Sequence, residues 1–262
     1  MTDTATESSR ARGFFIGGRK LPKRHWVALI VMLPLVAVIV FGGALLLGEA
    51  QPPAGDGFWQ QTENKYTGTV RFEPYPVLVD FSEGGARSYL LVSEGKFGAM
   101  DLVADLDGIV TDVQATLIER DNQRILEILG GPDGVRGRTE ALAAEQSIET
   151  QHLGTRTHLG EIIDPKCYLG AMKPGRGKTH RPCAMLCLLG GVPPMLVTED
   201  DNGRPRYYLL TTPDNQRITG DDLDRLLPFV GVPVRVTGEA SRRGDLLRLA
   251  IDVTRDVQHA GQ

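Results

Sequence analysis

From Trp26 to Leu47 the chain reads WVALIVMLPLVAVIVFGGALLL, residues 26–47, with no charged side chain. At about 1.5 Å per residue, a helix of that length crosses a hydrocarbon core of about 30 Å. Helix is the one conformation open to a single span, because lipid offers the backbone no hydrogen-bond partners, and Pro34 is tolerated in such a helix. Arg10, Arg12, Arg19, Lys20, Lys23 and Arg24 precede the run, whereas Glu49 and Asp56 follow it. The positive-inside bias therefore expects residues 1–25 as a basic cytoplasmic tail and everything after about Gly48 on the far side, the periplasm of a bacterial inner membrane. A cleaved signal peptide shares this pattern, but its apolar core is usually about 7–15 residues. An uncleaved single-pass anchor, with the lipid bilayer as partner of residues 26–47, is the expectation.

The exported part is not built for nucleic acid. The chain carries a net charge of -4 and 6% aromatic residues, which offers neither a phosphate-binding field nor a stacking platform. After a Pro- and Gly-rich linker at 48–62, short β-branched segments bounded by Gly, Pro or Asp read as strands: YTGTVRF, PVLVDF, SYLLVS, GIVTDVQATLI and RILEIL. A weak internal repeat orders them. Gly68-Thr-Val matches Gly160-Glu-Ile, Tyr89-Leu-Leu-Val matches Tyr208-Leu-Leu-Thr, and Gly108-Ile-Val-Thr-Asp-Val matches Gly231-Val-Pro-Val-Arg-Val. Each half ends in a final strand, at Arg124-Ile-Leu-Glu-Ile and at Leu246-Leu-Arg-Leu-Ala-Ile. The expectation is a mainly β chain with two small domains, each a partly open five-stranded barrel of the OB type, and a β-sandwich as runner-up. The domains fall at 63–135 and 156–256, with a linker at 136–155 and a tail at 257–262.

One interval of the repeat is longer in the second half, and the extra residues hold all three cysteines. GEIIDPKCYLGAMKPGRGKTHRPCAMLCLLGGVPP, with RYYLL and VPVRVTGEASRRGDLLRLAID after it, resembles a group of bacterial exported OB-like domains with a cysteine-rich insertion. The resemblance implies that fold and an envelope compartment, and no reaction. From the residues themselves, Pro182 suits a first helical turn and Gly190-Gly191 a helix end, so a helix is expected over 181–189 with Thr179 or His180 near its cap. Cys183 and Cys187 then share a face, His180 joins from the start, and Cys167 arrives from the loop. A place in the first turn would make Cys183 the more acidic of the two helix thiols.

Three chemistries fit Cys167, His180, Cys183 and Cys187. A disulfide from Cys167 to a helix cysteine suits an oxidising compartment, although an odd number of cysteines leaves one over. Three thiolates and an imidazole suit copper, as Cu(I), or zinc, with Met172 or Met185 as additional soft ligands. A thiol-disulfide enzyme would more commonly use Cys-x-x-Cys, and the spacing here is Cys-x-x-x-Cys. Gly177-Lys178-Thr179 ends like a P-loop, but Met172 stands where its first glycine belongs, so no nucleotide is expected. Arg176, Lys178 and Arg181 remain as a weak anion site at a helix start. No Cys-x-x-Cys-His is present for covalent haem. Glu94-Gly-Lys96-Phe-Gly98 and Pro74-Tyr75-Pro76 read as turns. These features together suggest a tethered periplasmic accessory protein of an envelope redox complex that holds a metal. The alternatives are an assembly scaffold stapled by a disulfide and a thiol oxidoreductase.

Overall fold

A computed structural model describes residues 23–50, 57–82, 85–138 and 148–261. The basic tail up to residue 22, the linker core at 51–56 and the stretch 139–147 between the halves lie outside the described residues. The chain divides into two compact units, Met1–Pro53 and Ala54–Gln262. The first contains helix α1, Lys23–Ala50, within which His25–Gly48 is long and apolar enough to cross a membrane.

The second unit contains two barrels. In the first, β1 Phe58–Trp59, β2 Asn64–Phe72, β3 Pro76–Asp80 and β4 Arg87–Ser93 are followed by the short helix α2 Met100–Val103, then by β5 Val110–Arg120, β6 Gln123–Ile128 and β7 Val135–Gly137. The order β5-β2-β3-β4-β6 closes through β5–β6 pairing, with β4 and β6 parallel and the other pairs antiparallel. The second barrel contains β8 Thr150–Ile163, helix α3 Gly177–Leu189, β9 Met195–Glu199, β10 Pro205–Thr211, helix α4 Gly220–Leu226, β11 Pro233–Arg243 and β12 Leu246–Ala250. Helix α5 Val253–Asp256 and strand β13 Val257–His259 follow. It repeats the same circuit, with β10 and β12 as the parallel pair. These are the two five-stranded barrels expected, and both are closed rather than partly open. The sandwich alternative is not adopted.

The boundaries move for physical reasons. β8 begins at Thr150, inside the stretch expected as linker, because its first half is largely exposed against β11 and shows no alternation of apolar and polar residues. Val257–His259 pairs with β11 instead of trailing as a tail. The interval that lengthens the second repeat lies between β8 and β9, so the cysteine segment is an insertion in the first loop of the second barrel.

Each barrel has its own core, around Leu78, Leu91 and Leu126 in the first and Leu196, Leu226 and Leu249 in the second. A third cluster joins them: Tyr75, Val77, Leu90 and Ile118 of the first barrel pack with Leu169, Val192, Met195 and Leu209 of the second. Polar contacts reinforce it. Tyr207 Oη donates to Asp121 Oδ2 at 2.5 Å, Asp245 accepts from Ser88 N at 3.1 Å, and Tyr75 Oη accepts from Ile218 N at 2.9 Å. Burying both apolar and polar groups across this boundary makes the barrels one body, so a residue of one can complete a site in the other.

A candidate metal centre between the barrels

The insertion leaves β8 at Ile163 and turns at once. Asp164, fully buried, accepts the Cys167 N–H through Oδ1 at 2.8 Å, which nucleates a single π-helical turn at Cys167–Ala171. Its other oxygen, Oδ2, lies 3.1 Å from His180 Nε2. One carboxylate thus fixes both the backbone that presents Cys167 and the imidazole of His180.

Helix α3 begins at Gly177, four residues before the expected 181, and Pro182 lies inside it. The start is set from outside the helix: Glu161, on β8, accepts the Gly177 N–H through Oε1 at 2.6 Å, in the role that an N-cap side chain would otherwise fill. Cys183 is therefore beyond the first turn, where the helix field has fallen off, and the reason for expecting it to be the more acidic thiol disappears. The periodicity survives. His180, Ala184, Cys187 and Leu188 form the buried face with Cys183 beside it, Ala184 and Leu188 enter the second barrel's core, and Met185 packs against that core. Leu186 and Leu189 face outward.

The ligand atoms of Cys167, His180 and Cys183 lie within 4.8 Å of one another, as do those of Asp164, Cys167 and Cys187. These groups could hold a metal ion. All three cysteines are free. Cys187 is 1% exposed and Cys167 6%, while Cys183 is half-buried. Cys167 and Cys187 have their sulfurs within 4.8 Å of each other, and their interaction lowers the Cys187 thiol and raises that of Cys167, with burial and the nearby Asp164 adding to the rise.

The first barrel supplies the remaining member. Lys96, in the turn after β4, places Nζ 2.7 Å from Cys183 Sγ and 4.0 Å from Cys187 Sγ. The bond to Cys183 holds the ammonium above its ordinary range against partial desolvation. The turn is pinned from the other side. Lys166 Nζ donates to the carbonyls of Ser93 at 2.9 Å and Gly95 at 2.7 Å and pairs with buried Glu127 at 2.5 Å. Gly98 N bonds to Gly190 O at 2.9 Å, and a Cβ on Gly98 would lie 2.6 Å from the Gly191 carbonyl carbon, so only glycine admits this approach.

Met172 is 46% exposed on the loop and Met185, partly buried, packs against the barrel core. Of the anion candidates, Arg181 donates to the Pro228 carbonyl at 2.9 Å. Arg176 and Lys178 line a groove that also holds Glu161, Glu199 and Asp200, so acidic groups are interleaved with the basic ones. Sequence reading missed Asp164, Lys96 and Lys166. An Asp before a Pro and a Gly-Lys-Phe-Gly turn look like ordinary loop chemistry, and only the packing of the two barrels brings them to the thiols.

Compared with protein-family models, curated proteins and solved structures, the chain matches none of them.

Proposed function

We propose that this chain is a membrane-tethered, non-enzymatic accessory protein or subunit of a bacterial envelope redox system, with its barrels in the periplasm and a metal ion held at Cys167, His180, Cys183 and Cys187. One observation carries the reading: soft donors from two segments of an insertion converge at a largely buried point, and a buried carboxylate orients the imidazole. With Nε2 engaged by Asp164, Nδ1 is the nitrogen left to ligate, a familiar carboxylate–histidine–metal arrangement.

Charge favours zinc over copper. Three thiolates around Zn(II) leave one negative charge, which the Lys96 ammonium offsets, whereas Cu(I) adds one more unbalanced negative charge beside the buried Asp164 carboxylate, in a site costly to charge. The reduced full-length protein is expected to bind about one Zn(II) per chain, the stoichiometry of a closed four-ligand site. Cys183→Ser should lower the affinity sharply, as read by elemental analysis and chelator competition. Substoichiometric metal with affinity unchanged in that variant would remove the metal from this proposal.

The scaffold reading keeps one specific support, since the neighbouring Cys167 and Cys187 thiols sit in the shared core where a disulfide would staple the insertion. A quantitative Cys167 bridge in an unreduced peptide map would favour it. Burial of Cys187 weighs against a thiol oxidoreductase, whose thiols must meet a substrate disulfide.

A further inference from the structure

We propose that Lys96 and Cys183 form an oxidative N–O–S cross-link that joins the first barrel covalently to the second. The inference goes beyond the metal reading and requires no bound metal. Its first support is distance. Nζ and Sγ lie 2.7 Å apart, inside the about 2.9–3.0 Å usual for N–H···O bonds although sulfur is the larger acceptor. Two atoms joined through a single bridging oxygen have a separation of this kind.

The second support is that both ends are held. Lys96 sits in a turn fixed by Lys166 on the Ser93 and Gly95 carbonyls and by the Gly98–Gly190 bond. Cys183 sits on a helix anchored through Ala184 and Leu188 in the barrel core. The third support is access. Cys183 is the half-buried thiol, whereas Cys167 and Cys187 are buried, and oxidation of cysteine follows exposure. Cys187, at 4.0 Å, lies farther from the amine.

The oxidant is dioxygen. Sulfur and nitrogen each give up two electrons. One oxygen atom becomes the bridge, forming one S–O and one N–O bond. The other takes two of the three hydrogens carried by the thiol and the amine and leaves as water. The third hydrogen stays on nitrogen. The product removes Cys183 as a ligand and the Lys96 ammonium as its counter-charge, so the linked form should bind zinc poorly.

The test uses the full-length protein in detergent, reduced, stripped of metal with chelator and then exposed to air. The expected result is an intact mass higher by one oxygen less two hydrogens, with a digest peptide joining the Lys96 and Cys183 segments. A thiol reductant should reverse it. It should be absent in Lys96→Arg, which keeps the cation without a primary amine, and in Cys183→Ser, and present in Cys167→Ser. Loss of two hydrogens mapped to a cysteine pair, oxygen added to Cys183 without a linked Lys96 peptide, or an unchanged mass would each overturn the proposal. Zinc uptake by the reduced sample is read in parallel, so failure of the metal reading shows there and failure of the cross-link shows in the mass.

Discussion

Lys166→Met is expected to destabilise the two-barrel unit by about 3–5 kcal/mol, the usual cost of removing one partner from a buried ion pair. The side chains of Lys166 and Glu127 are 5% and 6% exposed, and their charged atoms lie 2.5 Å apart. Methionine fills much of the volume but donates nothing. It leaves the Glu127 carboxylate its bond from Thr116, at 3.3 Å, and leaves the Ser93 and Gly95 carbonyls without this donor. Thr116 also accepts from Trp59 Nε1 at 3.0 Å, so the loss reaches β1. Denaturation followed by circular dichroism checks it, and a loss below about 1 kcal/mol would place the pair with exposed salt bridges. Adding Glu127→Leu should recover part of the loss, because it removes the uncompensated charge. The same variant releases the turn carrying Lys96, so it should also weaken the cysteine site.

Asp164→Asn is expected to lower zinc affinity about 10–100-fold, as loss of a partner that orients a ligating histidine does, while the metal-free fold persists. The substitution keeps size but leaves one oxygen where two are used, one on Cys167 N and one facing His180 Nε2. If the amide oxygen keeps the Cys167 bond, its NH2 faces the imidazole and no longer accepts from it. Chelator competition and thermal unfolding of the metal-free protein read the two properties separately. Unchanged affinity would mean that Asp164 supports only the turn at Cys167–Ala171.

Much of this architecture is legible because barrel strands alternate and their turns are marked. Tyr89-Leu-Leu-Val and Tyr208-Leu-Leu-Thr fall on β4 and β10, the strands that make the parallel pair in each barrel. The interval from Gly160 to Tyr208, longer than that from Gly68 to Tyr89, marks the insertion for the same reason. Helical spacing also places Cys183 and Cys187 on one face. What stays hidden is set by tertiary contact. The start of α3 depends on Glu161, sixteen residues earlier in sequence, and β8 extends by pairing with β11 where its own residues show no pattern. Lys96 and Cys183 are 87 residues apart and belong to different barrels, so nothing local to either announces the pair.

X-ray absorption of the zinc-loaded, full-length protein at the zinc edge tests the centre most directly. The site described here predicts about three sulfur neighbours at about 2.3 Å and one nitrogen at about 2.0–2.1 Å. One sulfur should be lost in Cys183→Ser and the nitrogen in His180→Ala. A zinc shell of oxygen and nitrogen alone, unchanged in both variants, would contradict a metal centre built by the insertion of the second barrel.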